Sequence, residues 1–532
     1  MRRFGSIFPF LESGRQARQL GRLVANHEFV RALVKYGTFD EYVFSNTSIS
    51  NLRIFAETVR QWGLDDDRLA RIACVSYVEL PRLLREQSFQ VFHLGGWGAQ
   101  MPGLHYLRSS HARNPWPITG ITHSLHGRDV IDHAVRLSHA RMAPYDAIFC
   151  TSRDGREAMR RLLAEGAAIS GGCYEGGLEH LPLGIDDDLF DTRGNRDRAR
   201  GRLKIPSDAT VLLVLGRMSA CQKMDVTPLL RAFANEILPN CHRPVILVLA
   251  GGASADDLTL LRQSIDRYGL DPHVRLHANF PEEQKADVLA ASDVLVSPVD
   301  NTQETFGLSL LEAMAAGLPI VASRFDGYKD LVEDGVSGFL IDTYASLADP
   351  MEEWADLLDP NIAQLFQSQG VAVDLGQLVD RLLRLVRDEA LRAEMGAAGR
   401  VRGSRDYRWS RVIARYEATW DRLFHQAQHG GVAPAPSQRN PFALGPRHLF
   451  SHYPSHTLTP DSQLIATAPV IDLAAFNETS IVLQPTLLRA ILELSQDATT
   501  LEALTAAVRA RSDHTAYAVA WLLKYGALRV LA

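Results

Sequence analysis

The stretch Ala291-Ser-Asp-Val-Leu-Val-Ser-Pro298, followed by Glu304-Thr-Phe-Gly-Leu-Ser-Leu-Leu-Glu312-Ala-Met-Ala-Ala-Gly317-Leu-Pro319, reads as a buried strand that hands over to a short helix. The helix is expected over residues 308–316, stopped by Gly317. The first-turn N–H groups around Phe306, Gly307, Leu308 and Ser309 would then point at the same space as the helix dipole, and both favour an anion such as a diphosphate. Glu304 lies on the loop before that turn and Glu312 one to two turns inside the helix. Two carboxylates so placed can flank a ligand whose phosphates rest between them, each accepting from paired sugar or ribose hydroxyls.

Working outward, short apolar runs alternate with helical stretches twice over, as a parallel βα fold requires. In the first half the strand signals are residues 90–94, 116–123 and 145–152; in the second they are 211–216, 245–252, 274–277, 294–298 and 320–323. The restart near Thr210 marks a second Rossmann-like unit, so the expected class is α/β with two doubly wound sheets. Such sheets bind ligands beyond the carboxyl ends of their strands, and two facing units enclose a cleft.

With 532 residues the chain is too long for one core, and three units are expected. An apolar content of 46%, a charged content of 22% and a formal net charge of −6 suit an ordinary globular protein and argue against sequence-independent nucleic-acid binding. Five scattered cysteines without metal-like spacing fit a reducing cytoplasm. No apolar run approaches the ~20 residues of a membrane span. Arg2-Arg3 and the apolar stretch 4–11 have the look of a signal peptide, but Pro9 breaks the stretch and Glu12, Arg15 and Arg18 follow it. The chain is therefore expected to be cytoplasmic. Arg15, Arg18 and Arg22 form either a solvated helix face or a basic stripe for peripheral contact with anionic lipid.

The Glu-x7-Glu segment resembles that of the retaining glycosyltransferases of family 4, which have the GT-B architecture of two facing Rossmann-like domains. Further segments are similar in the same order along the chain. Val211-Leu-Leu-Val-Leu-Gly216-Arg217 with Lys223 looks like that family's strand ending in Gly-Arg with a lysine beyond; Leu181-Pro182-Leu-Gly184-Ile-Asp186 and Phe190 look like its interdomain segment. Val245-Ile-Leu-Val-Leu-Ala-Gly251-Gly252 and the run from Phe325-Asp-Gly327 to Gly338-Phe339 complete the likeness, which covers about residues 90–425. It implies an acceptor domain over 1–205, a donor domain over 206–404 and a crossover helix over 405–428. A linker over 429–445 and a carboxy-terminal module over 446–532 lie beyond it.

The resemblance also implies roles. The donor is a nucleotide-diphosphate sugar, UDP- or GDP-linked, with Arg217 and Lys223 taking the diphosphate. Glu304 faces the donor sugar, Glu312 accepts from the ribose, and the amides of residues 306–309 lie against the phosphates. Gly96, in the turn Gly95-Gly96-Trp97-Gly98, approaches the donor closely. A cleft histidine is either His123, at the strand end and preferred, or His126; the other histidines of the first domain, His133 among them, read as ordinary surface or core residues. No obligatory metal is expected, because two cations already face the leaving group and Asp186-Asp187-Asp188 reads as the interdomain turn. Paired carboxylates also occur in glycosidases, but a glycosidase has no use for Arg217, Lys223 and an open helix N-terminus.

Residues 344–377 exceed the family pattern and read as an inserted helical pair. After a linker at 430–438, helical spacing at 485–495, a capping box Thr499-Thr-Leu-Glu502, a helix over 513–525 and an edge strand over 528–531 resemble a winged-helix or PqqD-like module. Such a module suggests a peptide- or protein-modifying transferase whose end domain holds a leader peptide or partner. The alternative is a dimerisation or DNA-binding unit on an enzyme acting on a lipid or glycan.

Overall fold

Seven parallel strands form the first sheet of the computed structural model, which describes residues 1–7, 21–46, 48–98, 100–127, 129–191, 194–346, 350–354, 357–430, 440–445, 449–467, 479–480 and 482–531. They are β1 (Arg3–Ser6), β2 (Glu41–Asn46), β3 (Ile72–Ser76), β4 (Val91–Leu94), β5 (Ile118–Ile121), β6 (Ala147–Cys150) and β7 (Gly177–His180), in the order β3-β2-β1-β4-β5-β6-β7. The order reverses between β1 and β4, and the crevice at that switch point is where such a sheet accepts a ligand. The stretch with the look of a signal peptide begins as an inner strand, between β2 and β4: Phe4 is buried, with its ring 5.6 Å from those of Phe39 and Trp420. Arg15 and Arg18 of the basic stripe lie outside the described residues, whereas Arg22 is an exposed residue on the helix Gly21–Tyr36.

The second sheet holds β8 (Thr210–Leu215), β9 (Val245–Gly251), β10 (Val274–Ala278), β11 (Val294–Ser297), β12 (Ile320–Ser323) and β13 (Gly338–Ile341), again parallel, in the order β10-β9-β8-β11-β12-β13. Its strands are near-continuous runs of Val, Leu and Ile because helices cover both faces. The switch point here falls between β8 and β11. Arg217 follows the first of these strands and Glu304 the second, so topology alone brings the cationic and acidic segments to one crevice.

The chain crosses between the sheets twice, side by side. The Ile185 N–H donates to the Tyr407 carbonyl at 2.9 Å and the Trp409 N–H returns to the Ile185 carbonyl at 3.0 Å. The Arg408 guanidinium grips Asp191 through two bonds of 2.9 and 2.8 Å. Asp186, the first residue of the acidic turn, caps the 3-10 turn Asp187–Phe190 and pairs with Arg31 at 3.0 Å. Beyond this point the helix Trp409–His429 packs back over the first sheet. Trp409, Val412, Ile413, Tyr416, Trp420 and Leu423 fall on one face at helical spacing and are all buried. Trp420 donates its indole N–H to the Thr119 hydroxyl at 3.1 Å, while Glu417 accepts from the Thr38 N–H at 2.7 Å and its hydroxyl at 2.9 Å.

Two expectations need correction. Among the described residues the segment after β13 is not a pair of α-helices: an antiparallel ribbon, Thr343–Ala345 with Val371–Val373, brackets the 3-10 turn Glu352–Trp354 and the α-helix Pro360–Gln369, and the next helix, Leu375–Arg387, belongs to the covering layer of the second sheet. Strands of three residues carry little signal in sequence. In the carboxy-terminal module the N-cap is Thr500, which accepts from the Ala503 N–H at 3.1 Å, while Thr499 and Thr500 form a short strand. The proposed capping box is therefore one residue out of frame. Gln463–Ala466 pairs with Thr499–Thr500 on one side and Leu528–Val530 on the other, and helices Pro485–Leu494, Leu501–Ala507 and Ser512–Lys524 pack on this small sheet. Leu464, Ile491, Leu504, Val519 and Leu522 form its own core. Among the described residues no helix is long and apolar enough to cross a membrane.

Trp420 joins the crossover helix to the first sheet, and Trp420→Ala would leave a large void. The expected loss is about 3–5 kcal/mol, read as faster amide exchange in β1, β4 and β5 with the second sheet's protection unchanged. Equal loss in both sheets would show that the two units unfold as one.

Candidate active site

The loops after β8, β9 and β11 meet closely. Gly251 at φ +143° lies so near the Gly216 carbonyl that an added Cβ would sit 1.8 Å from its oxygen, which only glycine permits. This contact seats the Gly216-Arg217 corner, and the chain then turns so that Lys223 Nζ reaches Glu304 Oε2 at 3.0 Å. Both side chains are 13% exposed. Glu304 Oε1 accepts from the Phe306 N–H at 3.2 Å, and the Tyr328 hydroxyl lies 3.4 Å from Oε2 and 2.8 Å from Ser297 Oγ.

Burial alone would raise the Glu304 pKa. The Lys223 charge and hydrogen bond, the Phe306 N–H and the Arg217 charge outweigh it and hold the carboxyl below its usual range. Glu304 is thus an anion throughout the neutral range, and its contribution to stability is lost as pH falls through that depressed pKa. The Phe306 N–H is consequently committed to Glu304 rather than to a ligand. Leu308 and Ser309 are the residues of the first helical turn that line the cleft with Gly307. Gly307 itself caps the helix Leu308–Ala316 at φ +115°, where a Cβ would strike the Tyr328 ring at 2.7 Å. The helix ends at Gly317 in the left-handed conformation, as its sequence indicates.

Glu312 sits deeper in the same cleft and accepts from Lys285 Nζ at 2.8 Å; Lys285 also pairs with Glu282. Burial would lower the Lys285 pKa, but the Glu312 and Glu282 carboxylates more than offset it and the net shift is upward. Arg217 is held between the Gln222 side-chain oxygen at 3.0 Å and that of Gln303 at 2.7 Å. One cavity of about 410 Å³ is lined by Arg217, Lys223, Glu304, Glu312 and the first turn of the helix. Phe280 and Pro281 form another wall, with Phe280 stacked on His277 at 4.7 Å.

A second cavity of about 580 Å³ opens on the first sheet beyond β4 and β5, lined by Gly96, Trp97, His126 and His133, and it shares Arg22, His123, Ser124, Arg217 and Gln303 with the first. Gly96 therefore faces this second cavity, and His133, read as ordinary from sequence, belongs to it as well. His123 stands at the border. Its Nε2 lies 3.0 Å from both the Gly95 carbonyl and Asn26 Oδ1, two acceptors, so Nε2 carries the proton and donates. Burial, helped by Arg22 and opposed by the Gly95 carbonyl, lowers its pKa to about 4, which leaves a neutral imidazole. His126 lies on the second cavity alone, 3.4 Å from Gln303 Nε2.

The two sheets' loops also touch each other around this cleft. Ser152 Oγ donates to Asp326 at 2.6 Å and the Arg153 N–H to Asp330 at 2.7 Å, at the start of the helix Arg153–Ser170. Burial is the main cause that pushes the Asp326 carboxyl up to about 7. Lys285, Gln303, Asn26 and Asp326 were not singled out in the sequence. Only Lys285, following an acidic pair in Pro281-Glu-Glu-Gln-Lys285, carries a local signal.

Residues 195–364 match the family model described as "Glycosyl transferases group 1". Among curated relatives, a D-inositol 3-phosphate glycosyltransferase of Corynebacterium kroppenstedtii is 35% identical over 193 residues, which is 35% of this chain and 41% of that protein. One from Streptomyces scabiei is 30% identical over 286 residues, 49% of this chain and 63% of the relative. The chain thus spans less than two thirds of the relatives it matches. Two solved structures share the architecture: Anabaena HepE, in complex with UDP and glucose, with a TM-score of 0.53 at 17% identity over 79% of this chain and 99% of that one, and sucrose-phosphate synthase from Thermosynechococcus elongatus, with a TM-score of 0.53 at 18% identity over 80% and 100%. At such identities the likeness concerns the fold, and that fold is GT-B: two facing Rossmann-like units, here followed by a small, mainly helical module.

Proposed function

We propose that the chain is a retaining glycosyltransferase that moves a sugar from a nucleotide-diphosphate sugar to an acceptor nucleophile. The observation that carries this reading is the convergence of Arg217, Lys223, a helix N-terminus and the carboxylates Glu304 and Glu312 on one cavity. The diphosphate lies against Arg217, Lys223 and the Leu308–Ser309 turn, and cations fixed in a partly dry cleft stabilise the charge that develops on the leaving phosphate. Lys223 has three donors, so it can hold Glu304 and a phosphate oxygen together. Glu304 then faces the sugar, and Glu312, paired with Lys285 at 2.8 Å, accepts from the ribose. The acceptor enters through the neighbouring cavity, past Gly96 and Trp97, with neutral His123 at the border. Retention follows from attack on the face the phosphate leaves, with that phosphate taking the acceptor's proton.

A second reading, in which the acceptor is a peptide or protein held by the carboxy-terminal module, is favoured by a cavity of about 750 Å³ between that module and the end of β3, lined by Leu487, Val508, Arg509 and Arg511 on one side and Val78 and Glu79 on the other.

The Arg217→Ala and Lys223→Met variants should weaken UDP binding by about 1.5–3 kcal/mol each while leaving uridine affinity unchanged, because the lost contacts are to phosphate. Calorimetry with both ligands decides, and equal losses would remove the assignment. Lys223→Met has a further signature. With its counter-charge gone, burial dominates and the Glu304 pKa rises, so turnover should fall at a higher pH than in the wild type as the solution is acidified.

The two glutamates should separate. Glu312→Ala should raise the Michaelis constant for donor and weaken UDP by about 1.5–3 kcal/mol, whereas Glu304→Gln should cut turnover with UDP affinity nearly intact. The reverse pattern would mean that the donor lies the other way round.

We further propose that transfer needs no divalent metal, since Arg217 and Lys223 supply the positive charge. Turnover should survive EDTA; a loss restored by manganese would count against it.

A further inference from the structure

The helix Pro360–Gln369 inverts the usual pattern of a surface helix. Ile362 and Phe366, four residues apart, are 42% and 45% exposed, whereas Gln364 and Ser368 are 4% and 1% exposed. Its position is pinned at both ends. Asp359 caps it by accepting from the Asn361 N–H at 2.9 Å, and the ribbon Thr343–Ala345 with Val371–Val373 closes the base of the excursion. The buried polar face is turned towards the donor cleft, and its bonds lead there.

Gln364 Nε2 donates to Asn301 Oδ1 at 2.8 Å and to Thr302 Oγ1 at 2.9 Å. Asn301, itself fully buried, accepts the Gln303 N–H at 2.9 Å and donates through Nδ2 to the Ala220 carbonyl at 3.1 Å. The same carbonyl lies 2.9 Å from Ser368 Oγ, which is also 2.9 Å from the Leu365 carbonyl. A fourth bond from the helix runs from Gln369 Nε2 to Asp225 at 3.3 Å. Ala220 stands between Arg217 and Lys223, and residues 301–303 lead directly into Glu304. The two loops that form the Lys223–Glu304 pair are thus tied to each other through Asn301 and to the inserted helix through Gln364 and Ser368.

We propose that this helix is a brace for the donor cleft, with Gln364, Ser368 and Asn301 as positioning residues that set the cationic loop 217–225 against Glu304. The proposal rests on the transferase reading for its consequence but not for its geometry. Neither loop has a regular element of its own over residues 217–223 or 298–304, so side-chain bonds set their separation: the direct pairs Arg217–Gln303, Lys223–Glu304 and Asn301–Ala220, together with the insert's bonds to Asn301, Thr302 and Ala220. A shift of the order of 1 Å between a cation and the phosphate it serves is enough to lower affinity and rate markedly.

The test uses the full chain and three variants. Gln364→Met keeps the side-chain length and removes both donors, Ser368→Ala is a milder change on the same face, and Ile362→Ala on the outer face is the control. Amide exchange over 217–225 and 300–306 is measured without ligand, and UDP and uridine affinities by calorimetry. The brace predicts faster exchange in both loops for Gln364→Met and Ser368→Ala. It also predicts UDP affinity about tenfold weaker for Gln364→Met, with uridine within about twofold. Ile362→Ala should change none of these. Unchanged loop exchange in the two inner-face variants, UDP affinity equal to wild type, or a parallel loss of UDP and uridine would each overturn the proposal. Wild-type protein that binds no UDP would count against the donor reading, and loop exchange would still decide the brace.

Discussion

The contact on which the rest of the site depends is the ion pair between Lys223 and Glu304, 3.0 Å apart and mostly out of water. A buried pair of this kind is costly to break from one side: removing a single partner leaves an uncompensated charge and costs about 3–5 kcal/mol. The surrounding architecture serves to bring the two residues together. They come from loops after β8 and β11, strands that are neighbours in the sheet but remote in the chain, on either side of its switch point. The approach of Gly251 to Gly216, the left-handed Gly307 and the buried Tyr328 then limit where each loop can go.

A second pair, Lys285 with Glu312, repeats the arrangement deeper in the cleft. Each acid thus lies against a lysine, and Arg217 is occupied by the neutral side chains of Gln222 and Gln303. A diphosphate bound as proposed would meet cations already placed, so little reorganisation would be needed, and neutral amides are easier partners for Arg217 to exchange than carboxylates would be. This is the pre-organisation that makes electrostatic stabilisation of a leaving group effective. His123 contributes in a different way. Its proton is spent on Gly95 and Asn26, which stiffens the turn before Gly96 and leaves a neutral ring at the border of the two cavities.

Much of this could be read before any coordinates. The run from Leu308 to Gly317 announces a helix and its stop, and Arg217, Lys223, Glu304 and Glu312 do line one cavity. What could not be read is the pairing. Nothing local to Lys223 indicates that it meets Glu304, and nothing in Phe306 indicates that its N–H is taken by the neighbouring acid. Lys285 and Asn301 act through residues far from them in the chain. Likewise β1 is four residues long and contains a glycine, so only its place between β2 and β4 reveals it as sheet core. The ribbon of the inserted segment is not legible in the sequence because its two strands have three residues each, too few for a period to show.

The most direct test is a crystal structure with UDP bound. The account places the diphosphate oxygens within hydrogen-bond reach of Arg217 and Lys223 beside the Leu308–Ser309 turn, the ribose hydroxyls on Glu312, and the base towards Phe280 and Pro281. A ribose on Glu304, or a nucleotide seated away from both cations, would contradict it.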